Sequence, residues 1–379
     1  LLIPGRKPQL FLPRPADYWH SVPPDPEYLA DVIDVQTFST QERLLKACES
    51  ACNQVSRLAE VGPVEGNTNA GRNEHQVINP TALLDYIDFH RARKTGYELM
   101  LMREASDIGA RGHLAAAEAF AAGGSEFAVH MAYLLASAQN EQELPYGNIV
   151  GINEHAGILH YQHQDRTPAK PSRSLLIDAG GSRRGYASDI TRTYAHADEQ
   201  ESLFATLIKA MEAHQQQLIE QIRPGDTYAD LHDRMHQQLA TILAEHHLVK
   251  CGADAAYTSG LTRTFCPHGL GHLLGLQVHD AGGHLADSAG TPAPPPEAYP
   301  ALRFTRAIEI DQVFTIEPGL YFMPQLLEPL RQSDTPVNWA VVDPLIAYGG
   351  IRIEDNVRVL AKGCENLTRD AFARVSTAS

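Results

Sequence analysis

The stretch Ser174-Leu-Leu-Ile-Asp178-Ala-Gly-Gly-Ser-Arg-Arg-Gly-Tyr-Ala-Ser188-Asp189-Ile-Thr-Arg-Thr193 decides how this chain is read. Its apolar start, bounded by turn residues, reads as a buried strand. Asp178 stands at the strand end, and Asp189 follows 11 residues later. That spacing suits two neighbouring strands of a hairpin whose carboxylates converge at one end. A carboxylate beside an apolar strand is unfavourable unless its charge is compensated. Taken singly, either residue reads equally as a solvated strand end.

The same arrangement recurs downstream. Val313-Phe-Thr-Ile reads as a strand and leads into Thr315-Ile-Glu317-Pro-Gly. Ile351-Arg-Ile reads as another and runs directly into Glu354-Asp. Between the Asp178–Asp189 stretch and these strands lies the histidine-rich Pro267-His-Gly-Leu-Gly-His-Leu-Leu-Gly-Leu-Gln-Val-His279. Four carboxylates and a histidine beside buried-looking strands point to a metal site. Four ionised carboxylates sum to −4, which two divalent ions would balance at +4. Without metals they would repel, and some would take up protons. Hard oxygen ligands with one imidazole suit manganese best, with zinc, cobalt and iron as alternatives.

The surrounding chain divides in two. Residues 1 to about 90 read as a small α/β domain. Gln9-Leu-Phe-Leu is a strand candidate, Thr40 to Ala59 a helix, and Glu60-Val-Gly-Pro-Val-Glu a strand and turn. Gly66 to Glu74 is a loop, and Thr81 to Arg93 a helix suited to linking domains. From residue 91 to 379 the texture changes. Helices are expected over Tyr97–Phe120, Ser125–Ala138, Glu201–Ile222 and Tyr228–Leu243, and a surface loop over Asp280–Pro300. The chain opens at Leu1 in a strand-like stretch without a signal-peptide pattern, which reads as the inside of a domain whose start is missing.

Composition excludes some functions. A formal net charge of −15 over 379 residues argues against nucleic acid, whose phosphates need a positive surface. No apolar run approaches the ~20 residues of a membrane span. Five cysteines without zinc-type spacing suit a reducing, cytoplasmic compartment, and Cys48 with Cys52 fits an i,i+4 pair on a helix.

Taken in order, Asp178-Ala-Gly, Ser188-Asp-Ile-Thr-Arg-Thr, His268-Gly-Leu-Gly-His, Thr315-Ile-Glu-Pro-Gly and Ile351-Arg-Ile-Glu-Asp resemble the motifs of metallopeptidases with the pita-bread fold. Lys94-Thr, Glu98-Leu and Met102-Arg-Glu-Ala resemble the segment that opens their catalytic domain. The likeness is greatest to bacterial Xaa-Pro dipeptidases (prolidases), including organophosphorus acid anhydrolases. It runs from Asp17-Tyr-Trp-His to Asn366-Leu-Thr-Arg-Asp.

The resemblance implies an α+β pita-bread catalytic domain after a smaller, incomplete α/β domain. It implies that Asp178 holds one metal, that Asp189 and Glu354 bridge two, and that His272 and Glu317 complete the second. His160 would contact substrate near the scissile bond, His279 would donate to the carbonyl as it becomes an oxyanion, and His268 would be a further pocket histidine. Glu317 would also shuttle the proton. Tyr146 and Thr191 match groups that orient ligands. Arg303, 14 residues before Glu317, would pair with the free carboxylate of an Xaa-Pro dipeptide, and Arg352 would assist. Trp19 resembles a tryptophan that reaches the neighbouring subunit's site in related homodimers. Two other readings stay open: an aminopeptidase acting on longer Xaa-Pro peptides, with phosphotriester hydrolysis as a side reaction, and a non-catalytic binding protein of the same fold.

Overall fold

The structure, a computed structural model, describes residues 1–19, 21, 26–53, 58–61 and 76–378. It divides into two compact units, Leu1–Leu84 and Asp85–Ser379.

In the first unit, β1 (Gln9–Pro13) pairs in parallel with β2 (Asp34–Phe38), a strand the sequence reading did not separate. Helix α1 (Gln41–Cys52) starts where the Thr40 side chain accepts the Arg43 N–H. It stops at Cys52, short of the expected Ala59, because Leu58 and Ala59 belong to β3 (Leu58–Glu60). That strand pairs in parallel with β4 (Gln76–Ile78), a distant backbone partner that helical periodicity does not register. Of Glu60-Val-Gly-Pro-Val-Glu, Glu60 lies in β3 and Val61 outside it. Residues 62–65 and the expected loop Gly66–Glu74 lie outside the described residues. Helix α2 (Thr81–Arg91) runs across the division between units.

The second unit opens on α3 (Gly96–Ala121) and α4 (Glu126–Ser137). Thr95 and Glu98 close a reciprocal capping box on α3, with the Thr95 N–H donating to Glu98 Oε2 at 2.7 Å. A cap of this kind is worth about 1 kcal/mol. Behind these helices stands an antiparallel sheet in the order β5 (Ile149–Ile152), β6 (Ser174–Asp178), β9 (Thr191–Ala195). A small hairpin, β7 (Ser182–Arg183) and β8 (Tyr186–Ala187), fills the connection between β6 and β9.

The alternation along β6 explains its unbroken apolar run. Leu175 and Ile177 pack with Phe120, Val129 and Tyr133 of the helices, whereas Leu176 packs with Tyr161 and Tyr321 on the other face. Side chains two apart share a face, so Asp178 leaves the strand on the Leu176 side.

Helices α5 (Leu203–Glu220), α6 (Tyr228–Glu245), α7 (Ala253–Thr258) and α8 (Thr262–Phe265) follow. Residues from α5 and α6, among them Phe204, Met211, Tyr228, Met235 and Leu239, form the largest core together with Phe314, Ile316 and Val357. The remaining elements are β10 (Val313–Ile316), β11 (Gly319–Tyr321), α9 (Pro324–Arg331), α10 (Trp339–Leu345), β12 (Gly350–Arg352), β13 (Asp355–Val359), β14 (Cys364–Asn366) and α11 (Leu367–Ala378). Strand β13 lies between β10 and β14, antiparallel to both, and β11 pairs with β12.

Two local expectations are revised. The strand read as Ile351-Arg-Ile ends at Arg352, so Glu354 sits in the break before β13. Segment 280–300 holds no helix or strand, yet it is not simply a surface loop. The Asp280 side chain is 1% exposed and bridges Arg91 at 2.5 Å and Lys94 at 3.1 Å. That pairing is what permits a carboxylate to be buried there. Among the described residues no helix is long and apolar enough to cross a membrane.

Candidate metal centre

The ends of four strands and one loop bring the candidate ligands together. Asp178 closes β6 and lies in register with Thr191 at the start of β9. Thr191 in turn bridges Glu354, in the break between β12 and β13. Asp189 precedes β9 by two residues; its own N–H donates to Asn356 Oδ1 at 2.9 Å. The hairpin expected from the 11-residue spacing is therefore β6–β9, with Asp189 on the approach to β9 rather than within it. Glu317 leaves the end of β10. His272 is tied to that strand from both sides: its N–H donates to Thr315 Oγ1 at 3.1 Å, and its carbonyl accepts the Thr315 N–H at 3.0 Å. A Cβ on Gly271 would collide with the Thr315 carbonyl oxygen, so only glycine lets this loop approach β10.

The donor set fits a metal. Ligand atoms of Asp189, His272 and Glu354 lie within 4.8 Å of one another, and these residues are 6%, 4% and 2% exposed. His272 Nδ1 donates to the Leu273 carbonyl at 3.0 Å, which leaves Nε2 turned toward the acids. That Nε2 faces Asp189 Oδ2 at 3.3 Å and Glu317 Oε1 at 3.6 Å. Burial opposes charge on the ring, yet Asp189 and Glu317 raise its pKa, so the position calls for positive charge, a proton on Nε2 or a metal ion. Asp178 Oδ1 is buried with no hydrogen-bond partner, a second atom left for a ligand. Burial and the neighbouring carboxylates raise Glu317 to about 7 and push Glu354 well above the usual carboxylate range. Burial also raises Asp178, against the opposing charge of Arg352. Divalent cations would relieve all three. The donor set of Asp189, His272 and Glu354 thus fits a divalent metal at this centre.

The other expected residues sort into three groups. His160, His279 and Tyr146 line a cavity of about 540 Å³ whose floor includes Asp178 and Asp189. His279 stands edge-on to His272, with ring centres 4.4 Å apart. Burial, His272 and the charge of Arg303 push its pKa down to about 4, so it is neutral at pH 7. Arg303 itself is exposed and makes no hydrogen bond or ion pair among the described residues. His268 lies on the opposite side of Glu317, with Nδ1 3.9 Å from Glu317 Oε2 and Nε2 2.9 Å from Tyr321 Oη. Burial pushes its pKa down to about 3.

Arg352, expected to assist Arg303 in binding the substrate carboxylate, is engaged within the protein. It is 5% exposed, and its guanidinium donates to Asp178, Tyr321 and Thr191. Trp19 belongs to the first unit, where it is 76% exposed and packs against Tyr18 at 4.8 Å between ring centres.

Sequence reasoning missed three supports. Tyr321 accepts from Arg352 and donates to His268, yet in sequence it is one aromatic in an apolar run. Asn356 brackets the Asp189 backbone on both sides. Arg192 donates to the Glu354 carbonyl at 2.7 Å and to Asp355 at 2.7 Å. Only Arg192 carried a usable signal, since it lies inside the Ser188-Asp-Ile-Thr-Arg-Thr motif.

Comparison with known proteins agrees with this centre. Residues 100–361 match the model of metallopeptidase family M24, and residues 1–89 match that of the Xaa-Pro dipeptidase N-terminal domain. The chain is 48% identical to an Xaa-Pro dipeptidase of Aeromonas hydrophila over 377 residues, covering 98% of this chain and 84% of that protein. It is 46% identical to an Xaa-Pro dipeptidase of Shewanella loihica, covering 98% and 83%. Zinc-substituted Escherichia coli aminopeptidase P in complex with product superposes with a TM-score of 0.59 at 26% identity, covering 80% of this chain and 63% of that one. A histidine-to-alanine variant of the same enzyme gives a TM-score of 0.70 at 21% identity over 97% and 82%, a likeness of fold. With its α+β pita-bread architecture and its buried acid–histidine centre, the chain belongs to metallopeptidase family M24, among the Xaa-Pro dipeptidases.

Proposed function

We propose that this chain hydrolyses Xaa-Pro dipeptides and releases proline, with two divalent ions, manganese by preference, held by Asp178, Asp189, His272, Glu317 and Glu354. The observation that carries the reading is the placement of His272, whose Nε2 faces the carboxylates of Asp189 and Glu317 beside a cavity of about 540 Å³. That volume suits a small peptide. Four carboxylates with the paired Arg352 sum to −3, more than one divalent ion offsets, which supports two ions rather than one.

When bound, such ions would supply Lewis acidity for activating water and polarising the scissile carbonyl. The chain's own residues do the rest. Glu317 stands where a carboxylate oxygen can take a proton and return it to the leaving proline nitrogen. His279, neutral at pH 7, holds an N–H for the carbonyl oxygen as negative charge develops there. His160 meets the substrate from the far wall of the cavity. Arg303, close enough to lower the pKa of His279, pairs with the proline carboxylate and sets the length of the substrate. Arg352 and Tyr321 hold Asp178 and His268 in place. Proline matters because its tertiary amide lacks an N–H and needs a dedicated pocket.

Three further features complete the proposal. The exposed Tyr18–Trp19 pair supports a homodimer formed through the first unit, with Trp19 near the partner's site. Five cysteines without zinc-type spacing support a reducing cytoplasmic location. An aminopeptidase activity on longer Xaa-Pro peptides is the second reading, and it rests on the likeness to aminopeptidase P.

The test is a metal-dependent assay on two substrates. Elemental analysis should show two ions per chain, and chelation should abolish turnover until manganese is returned. Ala-Pro should be cleaved far faster than Ala-Pro-Ala. Full activity without metal would sink the mechanism, and faster cleavage of the tripeptide would favour the aminopeptidase.

A further inference from the structure

His160 reaches the cavity from a segment with little regular structure. Between β5 and β6 the chain forms only a short 3-10 turn, Asn153–Gly157. The His160 imidazole makes no hydrogen bond among the described residues, so its place follows from the backbone that carries it. An exposed loop opens locally unless something fixes it.

The fixings converge on one carboxylate. Glu126, the first residue of α4, is 2% exposed. Its Oε1 accepts the Ile152 N–H at 2.9 Å and lies 2.7 Å from His155 Nδ1. Its Oε2 accepts from Tyr161 Oη at 2.8 Å and from the Asp165 N–H at 2.8 Å. The Asp165 carbonyl accepts the Phe127 N–H at 3.1 Å in return. His155 and Tyr161 stack between these points, with ring centres 4.5 Å apart.

Four donors fill the four acceptor positions of an ionised carboxylate. Glu126, His155 and Asp165 together have the composition of a metal site. The central carboxylate is already saturated by protein donors, so the cluster is a clamp rather than an ion site. The amino-terminal end of α4 favours the negative charge. Ile152 and His155 lie before His160 in the chain, and Tyr161 and Asp165 lie after it.

We propose that Glu126 is a positioning residue: it clamps the 152–165 segment to the start of α4 and so sets the place of His160 in the cavity. Its effect on the reaction passes through that histidine. The proposal rests on the reading of His160 as a substrate-contacting residue.

The test is a double-mutant cycle in the metal-loaded enzyme. Glu126→Gln turns two acceptors into one and sets an amide N–H₂ against donors. A misplacement of about 1 Å can cost on the order of 100-fold. Glu126→Gln should therefore lower kcat/KM on Ala-Pro by about 10- to 100-fold, with metal content unchanged. In a His160→Ala background the same change should cost less than about 2-fold, because the residue it positions is gone. Should Glu126→Gln not fold, Tyr161→Phe removes one donor beside His160 and should give a smaller loss that likewise vanishes with His160→Ala. Equal losses in both backgrounds would overturn the clamp while leaving the role of His160 intact. A His160→Ala enzyme with the parent rate would overturn the reading of His160, and the proposal with it.

Discussion

Arg352 and Asp178 stand 174 positions apart in sequence and are joined by a 2.6 Å hydrogen bond from Nη2 to Oδ2. The same guanidinium donates through Nη1 to Tyr321 Oη at 2.8 Å and through Nε to Thr191 Oγ1 at 3.1 Å. Thr191 then donates to Glu354 Oε2 at 2.6 Å. Arg352 is thus a fixed counter-charge built into the ligand cluster, with every donor group engaged.

Arg352→Ala should therefore destabilise the metal-free protein more than the metal-loaded one. Removing one partner of a buried ion pair typically costs about 3–5 kcal/mol. Divalent ions would restore much of the lost positive charge. Urea unfolding in chelator and in manganese measures the difference. An equal loss in both conditions would count against the counter-charge role.

Asp189→Asn removes one unit of charge from the middle of the cluster, where Asp189 faces His272 at 3.3 Å. Metal occupancy and rate should fall together, by elemental analysis and by turnover of Ala-Pro. A variant with normal occupancy and normal rate would mean that the bridge is assigned wrongly.

Arg303→Ala should lower kcat/KM on Ala-Pro by about 10- to 150-fold, the equivalent of a charged hydrogen bond of roughly 1.5–3 kcal/mol. The loss on Ala-Pro-amide should be much smaller, because that substrate lacks the carboxylate. Comparing both substrates with both proteins cancels general damage to the fold. Equal losses on acid and amide would make Arg303 a structural residue.

His214 offers a test of pH dependence outside the candidate ligand set. Its Nδ1 lies 2.6 Å from Gln238 Oε1, and its Nε2 is buried without a partner. Burial pushes its pKa down to about 4. The unfolded chain, with an ordinary histidine pKa near 6.5, takes up a proton first as pH falls. The neutral, buried form thus contributes its full stability above pH 6.5 and loses it between about 6.5 and 4. The slope is about 1.4 kcal/mol per pH unit within that window. Urea midpoints of His214→Leu should be flatter with pH than those of the parent over this range. Parallel curves would show that His214 does not titrate differently on folding.

Much of the centre was legible because metal chemistry restricts residue type. Asp178, Asp189, Glu317 and Glu354 each follow or precede an apolar strand, where an uncompensated charge is costly, and so they stand out. Helices α3 and α4 were legible from their apolar spacing of three and four. The end of α1 was not, because Leu58 and Ala59 are claimed by pairing with β4.

The sequence by itself marked the candidate ligands through residue type, and the order of its motifs carried the resemblance that implies the fold class and the chemistry. Only the tertiary structure decided what the supporting residues do. The resemblance gives Arg352 a part in assisting Arg303, yet the fold turns it onto Asp178 and Tyr321. Glu126 reads as an ordinary acidic residue in the first turn of a helix, yet four donors from a distant loop close on its carboxylate. Hydrogen bonds between residues far apart in the chain depend on distances of a few ångströms, and those exist only once the strands and helices have packed.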